Sequence, residues 1–117
     1  MQFIIPMLNN GERYAGIIIV EGNPTHHLVL LPGDIKADWE KAKTWAAKQG
    51  GELPTRREQA LLFANVPEEF KPVWYWSGEQ HAANSDYAWC QNFIYGDQIL
   101  NDILNELRAR SVRRLPI

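Results

Sequence analysis

Cysteine is almost missing from the sequence: Cys90 stands alone in 117 residues, so no disulfide can form within the chain. Charge of one sign is missing too. Lys and Arg number 12 against 14 Asp and Glu, a formal net charge of -2 at pH 7, which supplies no long-range field toward nucleic acid or an anionic membrane. No stretch approaches the roughly 20 apolar residues of a membrane-spanning helix. The opening MQFIIPMLNNGERY has no basic region of the kind that begins a signal peptide. These absences predict a soluble intracellular protein with no membrane or nucleic-acid partner. Repeats, linkers and low-complexity tracts are lacking as well, and the length fits one domain over 1–117.

What is present suffices for a core. Apolar residues make up 45% of the chain and aromatics 11%, and a domain of this size buries roughly two thirds of its unfolded surface. After an N-terminal segment, 1–12, the run RYAGIIIV leads into Glu21-Gly22-Asn23-Pro24, a cluster of turn formers. With His27-Leu28-Val29-Leu30-Leu31 closing at Pro32-Gly33, residues 13–31 predict a β-hairpin. Two helices are expected over 38–64. Asp38 is placed to cap the first, whose Trp39, Ala42, Trp45 and Ala46 recur at helical spacing and whose end falls at Gly50-Gly51. Thr55 and Glu58 form the Thr-x-x-Glu capping box of the second, ahead of Ala60, Leu61, Leu62 and Phe63. So short a connection, Gly51-Glu52-Leu53-Pro54, predicts that the helices pack as a bent pair with Leu53 in the core.

From 73 to 115 the chain reads as strands and loops. Val73-Trp74-Tyr75-Trp76 and Tyr87 to Phe93 have strand composition, and the polar stretch Gly78 to Asp86 separates them. The order β-β-α-α-β-β-β predicts an α+β domain with a mainly antiparallel C-terminal sheet.

These residues carry a resemblance. Asp38-Trp39-x-x-Ala42-x-x-Trp45-Ala46, then Gly50-Gly51-x-Leu53-Pro54-Thr55-x-x-Glu58, then Tyr75-Trp76-Ser77, Ala88-Trp89 and Arg108 to Arg114 resemble a bacterial and phage domain family of unassigned function. The likeness covers about 26–115. It implies a C-type-lectin-like fold, a phage or prophage origin and a place in the host cytoplasm or the phage particle. It also implies that the final strand returns beside the N-terminal hairpin, and that Trp39, Trp45, Trp76 and Trp89 are core. Relatives in this fold include retroelement-diversified receptor-binding proteins and formylglycine-generating enzymes. The sugar-binding calcium motifs of lectins, Glu-Pro-Asn or Gln-Pro-Asp followed by Trp-Asn-Asp, do not occur here, and the paired cysteines of the formylglycine-generating relatives do not either. No metal and no cofactor are expected.

Several residues could carry chemistry, and each has a plainer reading. Glu79, His81 and Asp86 offer ligands or proton carriers, but their spacing matches no metal template, and 78–86 reads equally as a hydrogen-bonded surface loop. His26 and His27 would point to opposite faces of a strand and cannot easily share one metal. Cys90 reads as a small buried hydrophobe. Arg108, Arg110 and Arg114 on one strand face, with Arg113 on the other, could form an anion site or pair with acids such as Glu79, Asp86 and Glu106.

The segment 91–105, QNFIYGDQILNDILN, fits the pattern least. The resemblance places a ligand-contacting stretch there, before the last strand. Its mix of Asn, Asp, Ile and Leu also fits a short amphipathic helix from 98 to 108. The candidate binding surface is Trp74, Tyr95, Asp97, Ile99, Leu100, Asn101, Ile103, Leu104 and Asn105. The expected role is a non-enzymatic module binding a protein, with a second copy as one candidate partner. The rivals are a prophage-encoded inhibitor of a host protein and an enzyme centred on Glu79, His81 and Asp86.

Overall fold

The N-terminal hairpin turns on only two residues, Glu21 and Gly22, in the computed structural model, which describes residues 4–117. Both have positive φ, 51° and 79°, as a twisted two-residue hairpin turn requires. They join β1 (Arg13–Val20) to β2 (Asn23–Leu30), and a short β3 (Ile35–Ala37) follows before the helices. Helix α1 (Trp39–Lys48) begins at Asp38, whose side chain accepts from Lys41 N–H. Helix α2 (Arg56–Asn65) begins at the Thr55–Glu58 capping box, with both reciprocal bonds made. A 3-10 turn (Pro67–Glu69) leads to β4 (Trp74–Gln80), β5 (Tyr87–Asn92), β6 (Gln98–Asp102), β7 (Leu107–Ala109) and β8 (Val112–Pro116).

The strands form two sheets, ordered β1-β2-β8 and β3-β7-β4-β5-β6. All pairings are antiparallel except the contact of β4 with β7, where Tyr75 lies opposite Arg108. Strand β8 returns beside β2, with Leu28 opposite Arg114. The arginine-rich end is therefore not one strand: β7 lies between β3 and β4 in the larger sheet, β8 is an edge of the smaller, and buried Arg110 and Ser111 cross between them.

Alternation in β4 explains the two cores. Tyr75 points to one face of the larger sheet, where it joins Leu28, Leu30, Leu62, Phe93 and Val112. Trp76 points to the other, among Trp39, Ala42, Leu53, Ala88 and Cys90. Each face is covered by a helix, so both aromatics are buried where a half-exposed sheet would leave one of them wet. Helix α1 packs on β3, β4 and β7, and α2 on β1, β4 and β5. The helices thus seat on separate parts of the sheets instead of forming a bent pair, while Leu53 between them is buried as expected.

Other expectations shift. Trp39 and Trp76 are core, but Trp45 and Trp89 are only half-buried, and so is Trp74. The stretch 78–86 is not all loop, because β4 continues through Gln80. The helix considered over 98–108 does not form: those residues make β6, a turn and β7.

Candidate functional site

Strand β6 is the outer edge of the five-stranded sheet. Its register on β5 runs from Tyr87 opposite Asp102 to Gln91 opposite Gln98. Asn92 N–H donates to Asp97 O beyond one end, and Ile103 N–H to Asp86 O beyond the other. In an antiparallel ladder bonded pairs alternate with unbonded ones, so the backbone groups of Gln98 and Leu100 face away from β5, along the open edge.

Around this edge lie exposed apolar side chains: Tyr95 is 81% exposed, Leu104 78%, Ile94 48%, Ile99 41% and Tyr87 39%. The β5–β6 turn that carries Ile94 and Tyr95 is fixed by Gly96, at φ 83°, where a Cβ would come within 2.8 Å of the Phe63 ring. Leu104 sits in the following turn, held by Asp102, whose side chain accepts from Leu104 N–H and whose carbonyl accepts from Asn105 N–H. Asn105 in turn donates to the Asn101 side chain at 2.6 Å. The candidate residues therefore divide by role. Tyr95, Ile99 and Leu104 are presented outward, and Asp97 is exposed beside them. Asn101 and Asn105 mainly shape the turn. Ile103 belongs to the framework: it packs on the Trp39–Trp76 core, and its carbonyl accepts from Trp39 N–H. Trp74 packs against the same core. Leu100 is half-buried opposite Trp89.

Inward of β6 a groove of about 970 Å³ opens between the hairpin and α2. Arg56 lies along it. Its guanidinium carbon is 3.5 Å from the centroid of the Trp89 ring, a cation–π stack, and its Nε donates to Gln98 Oε1 at 3.0 Å. Gln98 Nε2 answers by donating to the Arg56 carbonyl at 2.8 Å. This explains why Trp89 is not core: its ring is the platform for an arginine. Sequence inspection missed Arg56 because the link to Trp89 joins α2 to β5 across a fold that spacing does not reveal.

The acid–imidazole candidates are not brought together. Glu79, on β4, accepts from Arg56 N–H at 2.6 Å and so caps the start of α2. Asp86 is exposed, whereas His81 is half-buried with its Nδ1 unpartnered. Among the described residues no group of three or more His, Cys, Asp or Glu side chains is arranged to hold a metal. His26 and His27 do diverge: His26 bonds Glu58 at 2.7 Å, and His27 bonds the Tyr14 hydroxyl at 2.7 Å. Cys90 is fully buried, and burial pushes its thiol up to about 12.

The C-terminal arginines are structural, with partners other than those expected. Arg108 donates to Asp34 at 2.7 Å, and Asp34 also accepts from the Tyr75 hydroxyl. Arg110 donates to the carbonyls of Leu31 and Glu69. Arg113 takes both oxygens of Glu12, and Arg114 both oxygens of Glu58. Glu79, Asp86 and Glu106 take no part because β7 and β8 diverge into different sheets, each meeting acids on its own side. Burial alone would raise the Glu58 carboxyl, but hydrogen bonds from Arg114, Thr55 N–H and His26, with the Arg114 charge, hold it below its ordinary value.

No protein-family model and no curated protein sequence matches the chain.

Proposed function

We propose that the chain is a non-enzymatic protein-binding module, of phage or prophage origin, working in the host cytoplasm or the phage particle. Its contact surface is the outer β5–β6 hairpin with its two turns, carried on a C-type-lectin-like scaffold. One observation carries the reading: Tyr87, Ile94, Tyr95, Ile99 and Leu104, all large apolar residues left exposed, lie within eighteen consecutive positions around one open sheet edge. Exposed apolar groups gathered this way mark interaction sites. The pairing of β8 with β2, which closes the N-terminal hairpin with the last strand, supports the scaffold. The mechanism is complementarity: an aromatic and two aliphatic anchors on rigid turns, beside backbone groups free to pair with a partner's strand.

Capture from a bacterial lysate by immobilised wild type and by a Tyr95→Ser, Leu104→Ser double variant of equal melting temperature tests this. The expected result is a partner retained by the wild type and lost by the variant, or a wild-type self-association that the variant lacks. Identical capture by both proteins, with both monomeric, would reject the surface.

A further inference from the structure

The groove beside β6 differs in charge from the rest of the chain. Its sides bring Arg56 and Arg57 together with one carboxylate, Glu79, although the whole chain is formally -2. Glu79 is already engaged, since one of its oxygens accepts from Arg56 N–H. The Arg56 Nη atoms have no hydrogen-bond partner among the described residues, because only Nε is used, on Gln98. Arg57 is exposed and likewise makes no hydrogen bond or ion pair among the described residues. Two guanidinium groups therefore stand ready on one wall, and the Trp89 stack fixes the direction of the first. Ile18 and Val20 of β1 and Ala60 of α2 add apolar lining, beside Thr25 and His26 of β2.

We infer that this groove takes an acidic peptide segment of the bound protein, its carboxylates on Arg56 and Arg57 and its apolar side chains on Ile18, Val20 and Ala60. The inference rests on the protein-binding reading and adds the chemistry of the partner. A pre-oriented guanidinium offers two parallel donors that match a carboxylate. Extended peptide suits the place, because alternate side chains of a strand reach opposite sides, and Gln98, whose side chain bonds Arg56, belongs to the edge strand β6 of the proposed contact surface. Nucleic acid fits less well. A phosphate backbone carries charge at short, regular intervals and calls for a run of cations, whereas the described lining holds two guanidiniums.

The test is an NMR titration of the ¹⁵N-labelled full chain with the blocked peptide acetyl-Leu-Glu-Leu-Glu-Leu-Glu-amide, following the Arg56 Nε–H and Trp89 indole signals. The expected result is saturable shifts at both, with affinity falling about tenfold when the protein carries Arg57→Gln, as befits one lost charge-assisted contact, and further when Gln replaces every Glu in the peptide. Arg57 is exposed and makes no hydrogen bond or ion pair among the described residues, so that variant should keep the fold; Arg56→Gln should lose more. Equal binding of the Glu and Gln peptides, or unchanged binding by Arg57→Gln and Arg56→Gln, would overturn the inference. So would the same shifts from inorganic phosphate at equal concentration, or tighter binding of an oligothymidylate. Failure here is separable from failure of the surface itself: a lysate partner kept by Arg56→Gln and lost by Leu104→Ser would leave the β6 surface standing without its acidic ligand.

Discussion

Arg114 on the last strand holds both carboxylate oxygens of Glu58, Nε at 2.7 Å and Nη2 at 2.8 Å, and so fastens β8 to the first turn of α2. Glu58 is fully buried and also closes the capping box at Thr55. One carboxylate thereby joins helix, hairpin and final strand, because His26 of β2 reaches the same group.

Replacing that carboxylate leaves Arg114 without its main partner, and Glu58→Gln should cost about 3 kcal/mol near pH 7, the low end for a broken buried pair. The sign with pH follows from the lowered folded pKa. Its stabilisation is complete above the ordinary value of 4.5 and is lost as pH falls through the lower folded value. Urea titrations should show the gap between wild type and variant narrowing steadily as pH drops below 4.5. A constant gap down to pH 3 would refute the linkage.

The tryptophans should separate in a denaturant series. Trp76, fully buried between α1 and the sheet, should cost about 3–5 kcal/mol on change to Ala. Trp45→Ala, at a half-buried site, should cost less. Thr55→Ala should cost about 1 kcal/mol through the lost cap. A Trp45 effect equal to that of Trp76 would mean that the half-buried ring does more packing than its exposure implies.

Neighbours on the β6–β7 turn should behave oppositely. Ile103→Ser removes a side chain packed on the second core and should cost about 2 kcal/mol or more. Leu104→Ser should change stability by about 0.5 kcal/mol or less, as at other surface positions. Comparable losses from both would place Leu104 in the core and remove it from any contact surface.

Cys90 should resist a thiol reagent such as dithionitrobenzoate at neutral pH until the protein unfolds. Its burial and raised pKa of about 12 leave almost no thiolate. Rapid labelling of the native protein would contradict the packing of Cys90 against Ala88 and Trp76.

What the sequence made legible was local. The Thr55–Glu58 box, the Asp38 cap and the Glu21-Gly22 turn each lie within a few residues, and each forms as its side chains dictate. The β6 strand was hidden, since Ile99, Leu100, Ile103 and Leu104 have helical spacing; pairing with β5, and the bond from Trp39 N–H to Ile103 O, decide the outcome. The arginine partners were hidden for a related reason. Nothing in LRARSVRR marks the crossing at Arg110 and Ser111 that sends Arg108 to Asp34 and Arg114 to Glu58. Of the candidate surface, composition nominated Ile99, Leu100, Ile103 and Leu104 alike and left open whether they are core; only the fold separates exposed Ile99 and Leu104 from half-buried Leu100 and Ile103, and only the fold brings Arg56 onto Trp89.

The seam between β2 and β8 joins residues far apart in synthesis, Leu30 with Val112 and His26 with Pro116. A nascent chain holding only the hairpin carries an unpaired β2 edge, with Leu28, Val29 and Leu30 open to other chains. Deletion of β8 would leave that β2 edge unpaired in the folded domain as well, and should raise the tendency to aggregate. A reporter joined directly after residue 116 would crowd this seam, so it needs a flexible spacer.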